Sequence, residues 1–387
     1  MARHLPPDDD PRRASVRTWL ADNPAPTAGQ LAEAGYVAPH WPQPWGLDAD
    51  PELQLIIDDE LARVGVERPD NPIAVGWAGP TILAGGTEAQ HRRWLPAILD
   101  GSEEWCQLFS EPEAGSDLAA LRTRAERDGD EYVVNGQKIW STWANRSQWG
   151  ILLARTDPTA RKHQGISYFV LDMATPGIEV RKIIEMTGGN HFNETFLTDV
   201  RIPVENRIGP ENDGWRLARV TLGNERVSLS EGGVLWGMGP DAETCLGEIA
   251  ERGAGDDPLT RQRAAGAHAE TTVLDLLGDR IIEAVTRGDD PGAEASIRKA
   301  LADVHGQTLM SLVKDLSGPA GMVGHQDADA EETDPWHWGY LFSRALTIGG
   351  GTSEVQRNII GERLLGLPRE PPPPSASPTP ITAKEQA

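Results

Sequence analysis

The spacing of apolar positions changes character twice along the 387 residues. From about Ser15 to Asp100 apolar residues cluster at helical intervals, as in Leu53, Ile56, Ile57 and Leu61, with Pro and Gly between the clusters. Recurrence at three and four residues places such a set on one helix face, so this part is expected to form short helices joined by loops. The run Pro39–His40–Trp41–Pro42–Gln43–Pro44–Trp45–Gly46 is excluded from a helix interior, because each proline removes a donor and restricts the residue before it. From about Trp105 to Val204 the period shortens. Tyr132–Val133–Val134 and Gln137–Lys138–Ile139–Trp140 flank Asn135–Gly136, a pair suited to the type I′ turn of a hairpin. Apolar runs at 151–154, 167–171, 178–180 and 195–202 follow between turns, the pattern of a small barrel or sandwich.

From Gly214 the helical period returns in longer segments. Val273, Leu274, Leu277, Ile281 and Val285 share one predicted face, and Ile297, Leu301, Val304, Leu312 and Leu316 another, which suggests a bundle. Pro371–Pro372–Pro373–Pro374 and the polar tail after them have the composition of a disordered segment. The expected division is a helical domain over 1–104, a β-domain over 105–213, a helical bundle over 214–367 and a disordered tail over 368–387.

Charge and cysteine content narrow the partners. The formal net charge is −23, which repels nucleic-acid phosphates and anionic lipid, so neither a nucleic acid nor a membrane is expected as partner. A local basic pocket still admits a small anionic ligand. Cys106 and Cys245 are the two cysteines, too few for a disulfide framework or a thiolate metal site, and the histidines lack ligand spacing. Residues 1–13 are polar and proline-rich, unlike a secretory signal, and no apolar run approaches the roughly 20 residues that span a bilayer. A soluble cytoplasmic protein is the expectation.

Two stretches carry the candidate chemistry. In Gln107–Leu108–Phe109–Ser110–Glu111–Pro112–Glu113–Ala114–Gly115–Ser116–Asp117 the Glu-Pro pair forbids helix, Gly115 permits close backbone approach, and Ser116 and Asp117 add polar ends. On composition alone it is a surface turn leading into the β-domain. In Asn135–Gly136–Gln137–Lys138–Ile139–Trp140–Ser141–Thr142 a strand delivers a large aromatic and then hydroxyls, a wall and a hydrogen bond for a planar ring, although a lone tryptophan is more often core.

Taken together, these stretches resemble the acyl-CoA dehydrogenase family, whose middle domain carries Ser/Thr-Glu-Pro-x-x-Gly-Ser-Asp and then Asn-Gly-x-Lys-x-Trp-x-Thr. The resemblance continues in order through Ala154–Arg155–Thr156–Asp157, Gly165–Ile166–Ser167–Tyr168–Phe169, Pro176–Gly177, Asp199–Val200–Arg201–Ile202–Pro203, Gly214–Trp215, Glu225–Arg226 and Gly351–Thr352–Ser353–Glu354. It implies a mostly α fold with a central small β-barrel: a helical N-domain, the barrel, and a C-terminal four-helix bundle, usually assembled as a tetramer. It also implies FAD as cofactor, an acyl-CoA thioester as substrate and an electron-transferring flavoprotein as acceptor. Carried over by position, Gln107, Phe109, Ser110, Gly115, Ser116, Trp140, Ser141, Thr142, Thr352 and Glu354 contact the cofactor. Ser116, Arg226, Gly350 and Gly351 face the substrate, with Ser116 at the coenzyme-A arm and Thr142 near flavin N5. The implied reaction removes the α-proton of the thioester while hydride leaves the β-carbon for the flavin.

The chain departs from the family at the base. Many members place the catalytic Glu two residues before the Thr of a Glu-Gly-Thr sequence, where Gly350 stands here in Ile348–Gly349–Gly350–Gly351–Thr352. A minority branch carries the base as the Glu of Leu-x-x-Glu-Arg on a bundle helix, and Leu222–Gly223–Asn224–Glu225–Arg226 fits that pattern. Glu225 is therefore the expected base, with Glu354 as the other carboxylate and the Gly350 N–H as an oxyanion donor that needs no side chain. A plain structural salt bridge is the competing reading of Glu225–Arg226. A second departure is the stretch from Arg252 to Gln262, which lacks the family's Phe-Gly beside the FAD pyrophosphate. These departures keep two alternatives open: a non-catalytic partner subunit of a mixed tetramer, and a flavin monooxygenase or nitroalkane-oxidase-like enzyme on the same fold.

Overall fold

The computed structural model describes residues 5–231, 235–236, 239–252, 256–286, 293–322 and 334–369. The tail beyond residue 369 and the Arg226 side chain lie outside the described residues.

Five helices come first: α1 (Pro11–Asp22), α2 (Ala28–Glu33), α3 (Pro51–Arg63), α4 (Gly79–Gly85) and α5 (Glu88–Leu99). Their starts are written locally. Thr27 and Thr87 head capping boxes with Gln30 and Gln90, and Asp10 and Asp50 cap helices that begin with proline. On α3 the predicted face holds, since Ile56, Ile57 and Leu61 are all buried.

Eight strands follow: β1 (Trp105–Leu108), β2 (Arg124–Asp128), β3 (Glu131–Ile139), β4 (Trp149–Arg155), β5 (Ile166–Asp172), β6 (Ile178–Lys182), β7 (Asn193–Pro203) and β8 (Arg207–Ile208). They form one sheet in the order β6-β7-β3-β2-β4-β5-β8, with β1 parallel to β4, so the curled sheet keeps two unpaired edges at β6 and β8. Strands β4 and β5 are covered on both faces. Leu152, Ala154, Phe169 and Leu171 point into the barrel core, while Ile151, Leu153, Ile166, Tyr168 and Val170 join the core of the helical domain. That double burial accounts for their unbroken apolar runs.

The Asn135–Gly136 hairpin does not form. β3 runs unbroken through both residues and carries a bulge between Val134 and Gly136 opposite β7. A Cβ on Gly136 would lie 2.3 Å from Thr123 Oγ1, so the glycine serves the close approach of a neighbouring chain segment. The Asn135 amide fills the bulge instead, exchanging hydrogen bonds with Asp199 at 2.9 and 3.0 Å. The turn lies one motif earlier, where Gly129 at φ 64° joins β2 to β3.

The C-terminal part holds α6 (Gly214–Glu231), α7 (Ala242–Glu251), α8 (Pro258–Thr286), α9 (Glu294–Leu316), α10 (Pro335–Phe342) and α11 (Ser353–Ile359). Here the predicted faces need correction. Leu274, Ile281 and Leu312 are buried, but Val273, Leu301 and Val304 are about half exposed, and the Val285 side chain lies outside the described residues. The buried face of α9 carries Lys299, Asp303 and His305 instead. Their polar groups find partners: Lys299 donates to Asp303 at 2.6 Å and to the Leu346 carbonyl at 3.2 Å, and His305 lies between Glu270 and Thr271, 3.0 Å from each. Apolar periodicity identifies a face but not which face a neighbour covers.

Candidate active site

β1 sets the geometry by alternation. Cys106 and Leu108 enter the barrel core, so Gln107 leaves on the side where α6 crosses. On α6, a Cβ at Gly214 would meet the Ser167 backbone within 2.7 Å, and Leu217, Ala218 and Thr221 are fully buried along the following turns. One turn beyond Thr221, Glu225 is only 8% exposed, and Gln107 Nε2 approaches its Oε2 at 3.4 Å. The amide of Gln107, a residue expected against the cofactor, faces the candidate base.

After β1, Phe109 is buried with its ring edge against Tyr168, centroids 5.9 Å apart. The loop from Ser110 to Asp117 is built around a buried ion pair that the sequence reading missed. Lys138, fully buried on β3, donates to the Glu111 carboxylate at 2.8 Å and to the Phe109 carbonyl at 3.0 Å. Glu111 also accepts from the backbone N–H of Arg122 at 2.6 Å and of Thr123 at 2.9 Å. Burial pulls the Lys138 ammonium down to about 8, leaving it charged at neutral pH. Burial opposes ionisation of Glu111 as well, but the Lys138 charge and the donated hydrogen bonds outweigh it and lower its pKa. The signal for this pair was present, since both residues belong to the two recognised motifs, but its meaning required the fold.

The Ser110 carbonyl accepts from Ile139 N–H at 2.9 Å, so the loop and the end of β3 lie side by side. Trp140 follows at φ 62°, which turns its indole outward, 57% exposed and edge-on to Phe192. Ser141 is buried and exchanges backbone hydrogen bonds with Asn193, while Thr142 is half-buried. Gly115 and Ser116 are exposed, nothing stands within 4 Å of a Cβ on Gly115, and Lys162 binds Asp117 at the loop's far end. Buried hydroxyls of Ser141 and Thr195, and the Asn193 side-chain carbonyl, have no hydrogen-bond partner among the described residues. An exposed aromatic face beside a hydroxyl and open backbone fits a planar isoalloxazine, and the open Gly115–Ser116 edge fits an extended anionic arm.

The C-terminal candidates form a separate group. Thr352 is spent as the cap of α11, accepting from Val355 N–H at 3.3 Å, and Glu354 projects from the first turn as an exposed side chain near Arg357. Gly350 and Gly351 adopt φ 65° and 93°, and both carbonyls accept from Gln356 at 3.1 Å. The Gly350 N–H has no partner among the described residues. On one side of this turn the Trp236 ring packs closely, since a Cβ on Gly349 would lie 2.5 Å from it. No hydrogen bond joins this group to Glu225 or Trp140 among the described residues. Arg252 binds Glu248 and Ser317, and residues 253–255 lie outside the described residues. Among those described, no cluster of acidic, His or Cys side chains is placed to hold a metal, and no helix is long and apolar enough to cross a membrane.

The three-part fold and the paired loop and strand define a family of flavoprotein oxidoreductases, and the chain belongs to it: the N-terminal, middle and C-terminal domains of acyl-CoA dehydrogenases match residues 10–102, 106–200 and 212–365. Among relatives, the chain is 46% identical to the acyl-CoA dehydrogenase FadE34 of Mycobacterium tuberculosis over 88% of its own length but 46% of the relative's. The chain thus spans just under half of that protein. To the acyl-CoA dehydrogenase IpdE1 of the same organism it is 38% identical, over 92% of this chain and 97% of the relative. Among solved structures, the ChsE4-ChsE5 complex of M. tuberculosis superposes with a TM-score of 0.75 at 32% identity, covering 96% of this chain and 100% of the other.

Proposed function

We propose that this chain is an FAD-dependent dehydrogenase that forms an α,β-double bond in an acyl-CoA thioester, with Glu225 as the base. The observation that carries the proposal is the buried Glu225 carboxylate facing Gln107, a residue whose own strand continues into the loop tied to Trp140. FAD, when bound, accepts the two electrons. The chain's residues do the rest. Trp140 and Thr142 flank the ring, and Ser116 at the open loop edge meets the coenzyme-A arm. Glu225 takes the α-proton, and the Gly350 N–H steadies the negative charge on the thioester oxygen. Gln107 holds the carboxylate in the water-poor side of the site.

The test replaces Glu225 with Gln and follows anaerobic flavin bleaching with straight-chain, branched and ring-bearing acyl-CoAs. Loss of bleaching on the order of a thousandfold with FAD retained is expected for removal of a general base. Near-normal bleaching would remove Glu225 from that role.

Assembly belongs to the same proposal. The solved neighbour is a ChsE4-ChsE5 complex, and Val273, Leu276, Leu301 and Val304 leave apolar surface exposed on α8 and α9 of this chain, which suits burial in a tetramer, homomeric or mixed. Purification of the chain alone as a yellow protein, with its mass measured in solution, separates the homomeric form from a partner-dependent one. Transfer of the electrons to an electron-transferring flavoprotein, rather than to oxygen, is tested by the rate of aerobic reoxidation.

A further inference from the structure

Three fully buried hydroxyls meet where the three parts of the chain touch: Thr81 on α4, Tyr168 on β5 and Thr221 on α6. Thr81 Oγ1 and Thr221 Oγ1 are 2.8 Å apart, Tyr168 Oη lies 3.1 Å from Thr221 Oγ1, and Thr81 donates to the Trp77 carbonyl at 2.8 Å. One assignment uses every proton along these short contacts: Tyr168 donates to Thr221, Thr221 to Thr81, and Thr81 to Trp77. Burial pushes the Tyr168 phenol well above its ordinary range, so it stays a donor. Thr221 has a second acceptor in the Leu217 carbonyl, but that contact is longer, at 3.3 Å.

The chain of hydroxyls ends next to the proposed base. Thr221 and Glu225 are four residues apart on α6 and so lie on one face, one turn apart. Tyr168 also touches Phe109, two residues after the Gln107 that faces Glu225. Close packing holds a helix against its neighbours, and directed hydrogen bonds narrow the small rotation about its axis that packing leaves. Side-chain tips lie about 6 Å from a helix axis, so a rotation of ~10° moves a carboxylate by about 1 Å. Misplacement on that scale can cost a reaction about a hundredfold.

We propose that the Tyr168–Thr221–Thr81 hydroxyl chain is a positioning device that fixes the rotation of α6 against both other parts of the molecule and so aims Glu225 across the site. The inference rests on the reading of Glu225 as the base. Its residues touch neither substrate nor cofactor.

The test uses the FAD-loaded full chain with Thr221→Val, Thr221→Ser, Tyr168→Phe and Glu225→Gln. Reduction is read with octanoyl-CoA, isobutyryl-CoA and cyclohexane-1-carbonyl-CoA. Val is close in shape to Thr but cannot extend the chain. It should lower kcat by about tenfold or more, with KM within about twofold and flavin content unchanged. Ser should restore most of the loss, and adding Tyr168→Phe to Thr221→Val should lower kcat no further. A crystal structure of Thr221→Val should show the Glu225 carboxylate displaced from Gln107 by about 1 Å. An undisplaced carboxylate, or wild-type reduction by both Thr221→Val and Tyr168→Phe while Glu225→Gln is inactive, overturns the positioning role and leaves the base assignment intact. An active Glu225→Gln overturns the base assignment instead. Should Thr221→Val not fold, Thr221→Ser and Tyr168→Phe carry the same comparison.

Discussion

Replacing Lys138 with methionine tests how the loop of the site is held. The ammonium is fully buried and satisfies two oxygens, one on Glu111 and one on the Phe109 carbonyl. Methionine fills similar space but leaves the Glu111 carboxylate, 7% exposed, with two backbone donors and no counter-charge. Removing one partner of a buried ion pair costs about 3–5 kcal/mol, because the remaining ion stays desolvated. The two surviving N–H donors place the expected loss at the low end, about 3 kcal/mol, or about 4 °C in the midpoint of the 387-residue chain. The companion Lys138→Met/Glu111→Gln removes both charges and should recover about half of that loss. Thermal unfolding by circular dichroism gives the stability. Flavin release on dilution reports the loop, and it should rise in the single variant, because Phe109 and Ser110 lose their anchor. A single variant within about 2 °C of the parent, or a double variant that is worse by the full sum, would refute the idea that the pair braces the loop.

Three further outcomes follow from the geometry. Glu225→Gln should slow flavin bleaching by every acyl-CoA by about a thousandfold while FAD stays bound, as set out above. In α1 and α3, hydrogen bonds from Arg17, aided by Arg13 and opposed by burial, hold the Glu60 carboxyl below its ordinary 4.5. A lowered folded-state value stabilises the protein above that ordinary value, and the contribution is lost as pH falls through the folded one. Glu60→Gln should therefore be less stable by about 3 kcal/mol at pH 7, and the gap should close in acid; an equal gap at about pH 3 contradicts this. Gly349→Ala should cost about 1–3 kcal/mol by driving a methyl into the Trp236 ring, read as a lower unfolding midpoint, and an unchanged midpoint would mean the ring moves aside freely.

The chain's own residues determined the helix starts, the position of most strands and the order of the two kinds of segment, because capping, turn chemistry and apolar period act over a few residues. Its paired motifs also carried the family resemblance, and Leu222–Gly223–Asn224–Glu225–Arg226 carried the proposal of Glu225 as base. Tertiary structure decided what depends on distant neighbours. Asn135–Gly136 has the local chemistry of a turn, yet Thr123 and Asp199 draw it into a bulge. Leu301 and Val304 share the apolar period of their helix, yet the bundle buries Lys299 and Asp303 and leaves those two outside. Glu111 and Lys138 are separated by 27 residues, and Thr81 and Thr221 by 140. No local period encodes such pairs; they arise because a folded chain must satisfy each polar group it buries with whatever partner the topology brings near.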